Sequence, residues 1–367
     1  MKLQILQENL QKAINITSRF ASSKAQLPIL GNILFSTDKS KVFISSTNLE
    51  ISASIQVGAK IEEEGEISVP SKVISELIGN LPKETINLTA EKEQLKVATS
   101  SFSSTVLGMN SSDFPQIPRS INEKDSVNIP QKEFVKALSQ VVFATSLDES
   151  RPILTGVLFL WSSDSLILVA TDGFRLSQKK ISLKSKNKTD QKLVIPKNIL
   201  NEVSRLGEEG ENILFDFQEK EKQVMFGSND TVLTSRLLEG EYPDFEKIIP
   251  KSSTIKVLID KEEFLRAVKL ASIFARDAGN IVKLKIMDDH IKVSAESGQS
   301  GSQETKVDAK VEGPELEIAF NYKFIEDFLH SVQGEEVKME FSTVDKAGVF
   351  TDSSDSNYLH LIMPVKV

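Results

Sequence analysis

The chain has 367 residues, of which 40% are apolar, and its 44 Lys and Arg residues stand against 52 Asp and Glu residues. This length predicts two or three domains with their own cores, and the net charge of −8 excludes a uniformly basic nucleic-acid binder. Cysteine is absent, which excludes disulfides, thiolate nucleophiles and thiolate metal sites.

The start of the chain, MKLQILQENLQKA, lacks the basic, apolar and small-residue regions of a secretory signal. No window approaches 18 uninterrupted apolar residues. The three histidines, His290, His330 and His360, lie far apart and show no metal-ligand spacing. These features predict a cytoplasmic protein with no membrane contact and no metal.

The first predicted helix follows a short strand end, and this pattern occurs three times, in LQENLQKAINIT (6–17), IPQKEFVKALSQVV (129–142) and IDKEEFLRAVKLAS (259–272). Leu10, Phe134 and Phe264 occupy the matching apolar position. A second predicted helix also occurs three times, in SVPSKVISELIGNL (68–81), VIPKNILNEVSRL (194–206) and IAFNYKFIEDFLHSV (318–332). Pro70, Pro196 and Asn321 align there. Two markers with the same spacing indicate a threefold internal repeat.

Between the helices the sequence alternates with period two, as in KVFISSTNLEISASIQV, SLILVATDGFRLSQKKI and HIKVSAES. This pattern is typical of strands with one buried face. Each repeat is therefore a helix followed by strands, twice over. We predict an α+β fold of three domains, each with two helices packed on antiparallel sheets. The domains are expected at residues 1–121, 122–251 and 252–367.

The six predicted helical segments carry 12 basic and 8 acidic residues, so the rest of the chain is strongly acidic. This separation favours a phosphate-facing helical surface. The alternative is that Lys and Arg lie on solvated helix faces because they are good helix formers. The basic helical positions have no aromatic residues between them, which argues against base stacking and favours phosphate contact without sequence readout.

Motifs for nucleotide hydrolysis and for serine or zinc hydrolases are missing: the sequence has no GxxxxGK[ST], GxGxxG, GxSxG or HExxH. Asp172, in ATDGFRLS, is the remaining catalytic candidate. Asp-Gly between two alternating strands is more typical of a hairpin turn. A hydrolase that uses Asp172 stays open as an alternative.

Five segments in order resemble the signature segments of the bacterial β sliding clamp family, the processivity subunit of the replicative DNA polymerase. They are LPILGNILF (27–35), SRPILTGVLF (150–159), ATDGFRLS (170–177), EYPDFEKIIP (241–250) and LIMPVKV (361–367). The resemblance covers residues 1–367. It implies a ring-shaped homodimer that encloses duplex DNA, has no catalytic residues and needs no cofactor.

The resemblance also implies a hydrophobic pocket that binds short peptides from the polymerase, the clamp loader and repair proteins. The matching positions are Leu154, Thr171, Gly173, Phe174, Arg175, Leu176, Pro243, Lys247, Ile248, Leu361, Met363, Pro364 and Val365. Apolar walls with a flexible Met suit several related peptides, and Arg175 is expected to supply a directional donor. For Leu361 and Met363 the alternative is plain packing of a C-terminal strand.

Positions expected to contact DNA comprise Lys24, Lys72 and Lys197, which match basic positions of the family, with Lys12, Lys136, Arg205 and Arg266 on the predicted helices. The resemblance places the dimer contact at Phe102 on the first domain and at Ile273 and Phe274 on the third. Ser104 replaces an apolar residue usually seen in that contact. The alternative for Ile273 and Phe274 is burial in their own domain. A peptide-binding scaffold that never binds DNA is the second reading of function.

Overall fold

The structure is a computed structural model that describes residues 1–22, 27–39, 41–124, 126–183, 190–206 and 210–366. The chain forms two compact units. The first comprises Met1–Lys132 and Arg205–Leu237, and the second comprises Glu133–Ser204 and Leu238–Val367.

All six predicted helices form, and each one buries a single apolar face. They are α1 (Gln7–Thr17), α2 (Ser71–Gly79), α3 (Gln131–Val141), α4 (Lys197–Ser204), α5 (Lys261–Ala275) and α6 (Tyr322–Ser331). The aligned residues Leu10, Phe134 and Phe264 are fully buried. Side chains cap the N-termini of the last two helices: Asp260 accepts from the Glu263 amide at 2.8 Å, and Asn321 accepts from the Lys323 amide at 3.0 Å. Such caps satisfy amides that a helix leaves unpaired at its start.

The predicted strands form in the same threefold order. The first set is β1 (Lys2–Leu6), β2 (Asn32–Asp38), β3 (Lys41–Thr47), β4 (Ile51–Gly58), β5 (Lys60–Glu63), β6 (Glu66–Pro70), β7 (Thr85–Glu91), β8 (Gln94–Ala98) and β9 (Ser103–Leu107). The second is β10 (Val127–Pro130), β11 (Gly156–Trp161), β12 (Ser165–Thr171), β13 (Arg175–Ser182), β14 (Gln191–Pro196), β15 (Asn212–Gln218), β16 (Gln223–Ser228) and β17 (Thr231–Arg236). The third is β18 (Ile255–Asp260), β19 (Ile281–Ile286), β20 (His290–Ser297), β21 (Gly301–Glu312), β22 (Leu316–Asn321), β23 (Glu336–Phe341), β24 (Gly348–Asp352) and β25 (Asp355–Ile362).

The first unit contains two antiparallel sheets. One has the strand order β5-β1-β7-β8-β9, and the other has the order β10-β15-β16-β17-β4-β3-β2-β6. In the second sheet, β17 pairs with β4 from the preceding repeat, with Leu233 opposite Ala53.

The second unit contains one antiparallel sheet of twelve strands, in the order β14-β11-β12-β13-β25-β24-β23-β18-β21-β20-β19-β22. Here β25 pairs with β13 from the preceding repeat, with His360 opposite Ser177. Both units therefore join two repeats by the same type of strand pair.

Strand registers confirm the internal repeat residue by residue. Each marker residue is the last of its strand and precedes the second helix of its repeat, and the corresponding pairs are Asn32 with Pro70, Gly156 with Pro196 and Ile281 with Asn321. The α+β prediction is confirmed by this pattern of helices on antiparallel sheets.

Alternating strand residues and the inner faces of the helices form the cores. In the first unit one core contains Leu3, Leu10, Phe35, Ile74 and Leu88. The largest core of the second unit surrounds Phe264, Phe320, Phe328 and Phe350. Burial of these side chains supplies the main stabilising free energy of both units. Across the described ranges, no helix has the length and apolar content needed to cross a bilayer.

Candidate functional site

A three-residue turn between β12 and β13, formed by Asp172, Gly173 and Phe174, carries the centre of the candidate peptide site. The Thr171 hydroxyl donates to the Arg175 carbonyl at 2.6 Å and accepts from the Gly173 amide at 3.0 Å. Gly173 has φ +92°, a conformation that L side chains rarely adopt. The turn leaves the Phe174 side chain 61% exposed. An apolar ring held outward on a fixed turn is a contact surface for an apolar partner group.

Asp172 holds this turn together and shows no catalytic geometry. One carboxylate oxygen accepts from the amides of Phe174 and Arg175 at 2.9 and 3.0 Å. The other accepts from Nε of Arg175 at 3.0 Å. Its role is therefore that of a turn-capping residue, as the hairpin interpretation predicted.

Arg175 lies beneath the turn with only 10% of its side chain exposed. Besides Asp172, it donates from Nη1 to Asp327 at 2.5 Å and from Nη2 to the Phe143 carbonyl at 2.8 Å. Its guanidinium also lies over the rings of Phe324 and Phe143, 4.6 and 5.4 Å from their centres. Three of its five N–H donors are therefore used within the protein.

Sequence reasoning missed Asp327, Phe143 and Phe324. No local sequence signal identifies them, because each comes near Arg175 only through the fold.

The floor of the site is formed by Leu176 and Leu361, which lie opposite each other on β13 and β25. Both are buried, in a cluster that also contains Phe245 and Val349. The chain then continues past Phe174, because the Met363 amide donates to the Phe174 carbonyl at 2.8 Å. Met363 remains 37% exposed beside the turn.

The last described residues are also fixed, since the Val365 amide donates to the Ala319 carbonyl at 2.8 Å. Pro364 and Val365 are both half-buried. The C-terminal segment is therefore held against the second unit on either side of Pro364.

Two further segments border the same cluster. Leu154 is buried, and its neighbour Ile153 packs on the cluster, as do Tyr242 and Ile249. These contacts place Pro243, Lys247 and Ile248 at its edge, where all three are exposed. Lys247 pairs with Asp244 at 2.8 Å, and the hydrogen bond and charge of Asp244 raise the Lys247 pKa. The structure thus brings the predicted pocket residues together within one unit.

The residues expected to contact DNA lie in different environments. Lys12, Lys72, Arg205 and Arg266 are exposed on helices or directly after one, whereas Lys24 lies outside the described residues. Exposure leaves the ammonium groups of Lys12 and Lys72 accessible to phosphate.

Lys197 and Lys136 are less accessible. Burial lowers the pKa of Lys197, the charge of Arg175 adds to this shift, and Asp327 opposes it. Lys136 lies 3.3 Å from a carboxylate oxygen of the buried Asp355. Lys136 therefore interacts with the carboxylate of Asp355, and Lys197 interacts with the charges of Arg175 and Asp327.

Asp355 is the centre of a buried charge cluster. Lys179 donates to its two oxygens at 2.7 and 2.5 Å, and Gln140 donates at 3.4 Å. Burial raises the Asp355 pKa, but the hydrogen bonding and charge of Lys179, with hydrogen bonds from Gln140 and Lys136, outweigh burial and lower it. The carboxylate stays ionised at neutral pH and links β25 to β13 and α3.

Two of the three residues assigned to the dimer contact are exposed. Phe102, directly before β9, is 36% exposed, and Ile273, near the end of α5, is 55% exposed. Phe274 instead packs partly against the core of its own unit. The alternative of internal burial therefore applies in part to Phe274.

In the ranges that the structure covers, no group of three His, Cys, Asp or Glu side chains is arranged to hold a metal ion.

Comparison with known families matches three family models in succession along the chain. The N-terminal, central and C-terminal domains of the DNA polymerase III beta subunit match residues 1–118, 128–244 and 246–366. The order of the matches is the order of the repeats.

Similar proteins extend over nearly the whole chain. The beta sliding clamp of Staphylococcus aureus is 31% identical over 366 residues, which cover 96% of each sequence. That of Staphylococcus epidermidis is 28% identical and covers 100% of this chain and 99% of its own. The crystal structure of the DNA polymerase sliding clamp from Bacillus subtilis superimposes with a TM-score of 0.95 at 28% identity, covering 100% of this chain and 99% of that one.

Proposed function

This chain belongs to the DNA polymerase III beta subunit family, and we propose that it works as a DNA sliding clamp. In this role it encircles duplex DNA and tethers the replicative polymerase, which gives the polymerase its processivity. It has no catalytic residues and needs no cofactor. The observation that carries this proposal is the threefold repeat, which the three family domains match in order. We place the domains at 1–121, 122–251 and 252–367.

Ring closure follows from the strand pairs that join successive repeats. The last strand of the second repeat, β17, pairs with β4, and the last strand of the third, β25, pairs with β13. The corresponding strand of the first repeat, β9, is the edge of its sheet. The strand that corresponds to β4 and β13 in the third repeat is β21, which pairs with β20 on one side over residues 301–308. We propose that β9 of each protomer pairs with β21 of a second copy.

The repeat also fixes the register of this proposed contact. Ser104 on β9 corresponds to Leu233 on β17, and Gln303 on β21 corresponds to Ala53 on β4. Because Leu233 lies opposite Ala53, the repeat predicts Ser104 opposite Gln303 of the partner copy. It places Phe102 near the partner's Thr305, on the strand that α5 packs against. Ile273 on α5 then lies beside this contact. A two-fold pair of such contacts is isologous and closes a ring of two chains.

Duplex DNA is held loosely and without sequence readout. Lys12, Lys72 and Arg266 are the exposed cations that we assign to phosphate contact, with Arg205, Lys24, Lys136 and Lys197 as further members. Phosphate contacts by Lys and Arg depend on counterion release and weaken as salt rises. The acidic remainder of the chain repels DNA from other surfaces.

Partner proteins bind at the pocket around Phe174, Leu176, Leu361 and Met363. Its apolar floor and flexible Met suit a short peptide with two or more apolar side chains. The polymerase, the clamp loader and repair proteins are the expected partners. Arg175 is a positioning residue in this pocket, because Asp172, Asp327 and the Phe143 carbonyl already engage it. Work on the chromosome places the protein in the cytoplasm.

Retention on circular DNA tests this function. The protein is loaded on nicked circular DNA with a bacterial clamp loader and ATP, and the complex is isolated by gel filtration at high salt. A clamp stays on the circle and is released when a restriction enzyme linearises the DNA. A scaffold that binds only peptides never elutes with the circle, and a protein held by contacts alone remains bound after linearisation.

A further inference from the structure

A cavity of about 620 Å³ lies in the first compact unit, between the turn that joins β3 to β4 and the turn that joins β15 to β16. This volume is typical of ligand pockets. Its lining includes Leu49, Glu50, Ser52, Ile117, Glu221 and Arg236. None of these residues belongs to the candidate peptide site, which lies in the second unit.

The backbone of this cavity repeats the backbone of the candidate peptide site. The Thr47 hydroxyl donates to the Ile51 carbonyl at 2.9 Å and accepts from the Leu49 amide at 3.0 Å. Asn48 accepts from the amides of Glu50 and Ile51 at 3.0 and 2.9 Å. These are the bonds that Thr171 and Asp172 make in the second unit. The Thr47–Ile51 turn is therefore the same turn, one repeat earlier.

Each turn is also hydrogen-bonded to a neighbouring segment of the chain in the same way. The Arg236 amide donates to the Glu50 carbonyl at 2.9 Å, as the Met363 amide donates to the Phe174 carbonyl at 2.8 Å. Residues 115–118 line its border, and Phe114 and Ile117 belong to one apolar cluster with the buried Leu34. Tyr242 occupies the corresponding border of the second unit. Two pockets with one framework therefore occur in the chain.

The side chains on this shared framework differ in polarity. Ser52 and Thr234 are hydrogen-bonded through their hydroxyls on the floor of the cavity, where Leu176 and Leu361 pack in the second unit. On the rim, Glu50 takes the place of Phe174, and Arg236 takes the place of Met363. The cavity thus favours a charged, polar segment over the apolar peptide that suits the other pocket.

Leu49 adds a strained apolar contact. It has φ +77° at the position where Gly173 has φ +92°. A leucine in this left-handed region is strained, because its Cβ lies too close to the following carbonyl oxygen, and its side chain is 48% exposed. Strained residues of this kind persist where the surrounding structure fixes them, and they cluster at ligand sites. Here the strain presents an aliphatic side chain to the cavity.

We propose that this cavity is a second peptide-binding site, which takes an extended segment of a partner protein with a cationic side chain next to an aliphatic one. Glu50 and Glu221 supply two exposed carboxylates, and neither forms an ion pair within the described part of the chain. Lys or Arg of the segment lies between them, and the aliphatic side chain packs on Leu49 and Ile117. The inference goes beyond the proposed function, because the cavity has this form whether or not the other pocket binds peptides.

Methyl NMR of the full chain tests the proposal. Leucine and isoleucine methyl groups are labelled, and two blocked peptides are titrated: acetyl-Ser-Leu-Lys-Ser-Ser-amide, which carries one aliphatic side chain next to a cationic one, and the same peptide with Glu in place of Lys. The Lys peptide is expected to shift the methyl signals of Leu49, Ile51 and Ile117 in a saturable way. The Ile248 methyl signals report binding at the candidate peptide site of the second unit, and the shifts of Leu49, Ile51 and Ile117 are compared with them.

Two variants identify the source of the binding. The exposed pair Glu50→Gln and Glu221→Gln is expected to weaken the Lys peptide about tenfold, whereas Met363→Ala leaves it unchanged. The absence of saturable shifts at Leu49, equal shifts with the Glu peptide, or loss of binding on Met363→Ala would each overturn the second site. None of these outcomes alters retention on circular DNA, so the proposed function stands or falls separately.

Discussion

The Nη1 atom of Arg175 lies 2.5 Å from a carboxylate oxygen of Asp327, although 152 positions separate the two residues in sequence. This bond connects the turn that presents Phe174 to helix α6. Arg175 also donates to Asp172 and to the Phe143 carbonyl. The geometry of the candidate peptide site therefore depends on an interior arginine.

Replacement of Arg175 should lower both stability and peptide affinity. Arg175→Ala leaves the buried part of Asp172 and the Phe143 carbonyl without their donor, and we expect a loss of about 3 kcal/mol in the free energy of unfolding. Urea denaturation measures this loss. Arg266→Ala, at an exposed site, is the matched control and should change the midpoint little. Equal midpoints for both variants would show that Arg175 does not hold the turn.

Leu49→Gly should preserve or raise stability, in contrast to an ordinary loss of a leucine. Glycine removes the strain at φ +77°, which offsets the lost apolar contact and the extra freedom of the unfolded chain. Leu270→Gly is the control, because Leu270 is similarly exposed on α5, where glycine costs about 1 kcal/mol or more. Thermal unfolding of both variants measures the difference. Destabilisation of Leu49→Gly as large as that of the control would refute the strain.

His360 should make stability depend on pH above the acid range of the carboxylates. Burial lowers the His360 pKa well below 6.5, and the charge of Arg175 lowers it further. The His360 imidazole therefore binds a proton near pH 6.5 in the unfolded chain but stays neutral at that pH in the folded chain. Stability from the neutral imidazole is fully present above pH 6.5 and falls by up to about 1.4 kcal/mol per pH unit below it.

Urea denaturation between pH 7.5 and 5.5 measures this slope. His360→Gln keeps a polar group near the Ser177 hydroxyl, which lies 2.6 Å from Nδ1, but does not titrate. Its stability should be flatter over this range, whatever its absolute value. A slope equal to that of the unmodified protein would assign the pH dependence to other groups.

Ile273→Ala with Phe274→Ala should shift the protein toward monomers at micromolar concentration. Ile273 is exposed and lies beside the proposed β9–β21 contact, so its truncation removes apolar area from the interface. Sedimentation velocity measures the shift. Because Phe274 also packs on its own core, the single variant Ile273→Ala separates interface loss from unfolding. A dimer unchanged in both variants would place the interface elsewhere.

The fold was predictable because it repeats. Equivalent elements can be identified from local sequence alone. The first helix of each repeat carries the matching apolar residue Leu10, Phe134 or Phe264, and the second is preceded by the marker Pro70, Pro196 or Asn321. Hydrophobic periodicity fixes which faces are buried, so six helices and their strands follow from short windows.

The site was predictable only in part, because long-range contacts determine its charges. The sequence places Lys136 and Lys197 among the expected DNA contacts, yet Lys136 pairs with Asp355 from the far end of the chain, and burial lowers the pKa of Lys197. Arg175 read as a free donor, although the fold occupies three of its N–H groups. The equivalence of the Leu49 turn with the Gly173 turn was also hidden, because LEIS (49–52) and GFRL (173–176) share little beyond backbone geometry.

Covalent closure of the ring tests the central claim most directly. The chain has no cysteine, so the variant Ser104→Cys with Gln303→Cys introduces one defined pair across each interface. In the non-hydrogen-bonded register that the repeat predicts, their Cα atoms lie about 4.5 Å apart, which a disulfide can span. The variant is loaded on nicked circular DNA, oxidised, and run on a denaturing gel.

Oxidised protein that encircles DNA should migrate with the circle in detergent and leave it when the DNA is cut once or the disulfide is reduced. Protein that is crosslinked as a dimer but never retained on the circle in detergent, under conditions where loading is complete, would contradict a ring that encloses the duplex.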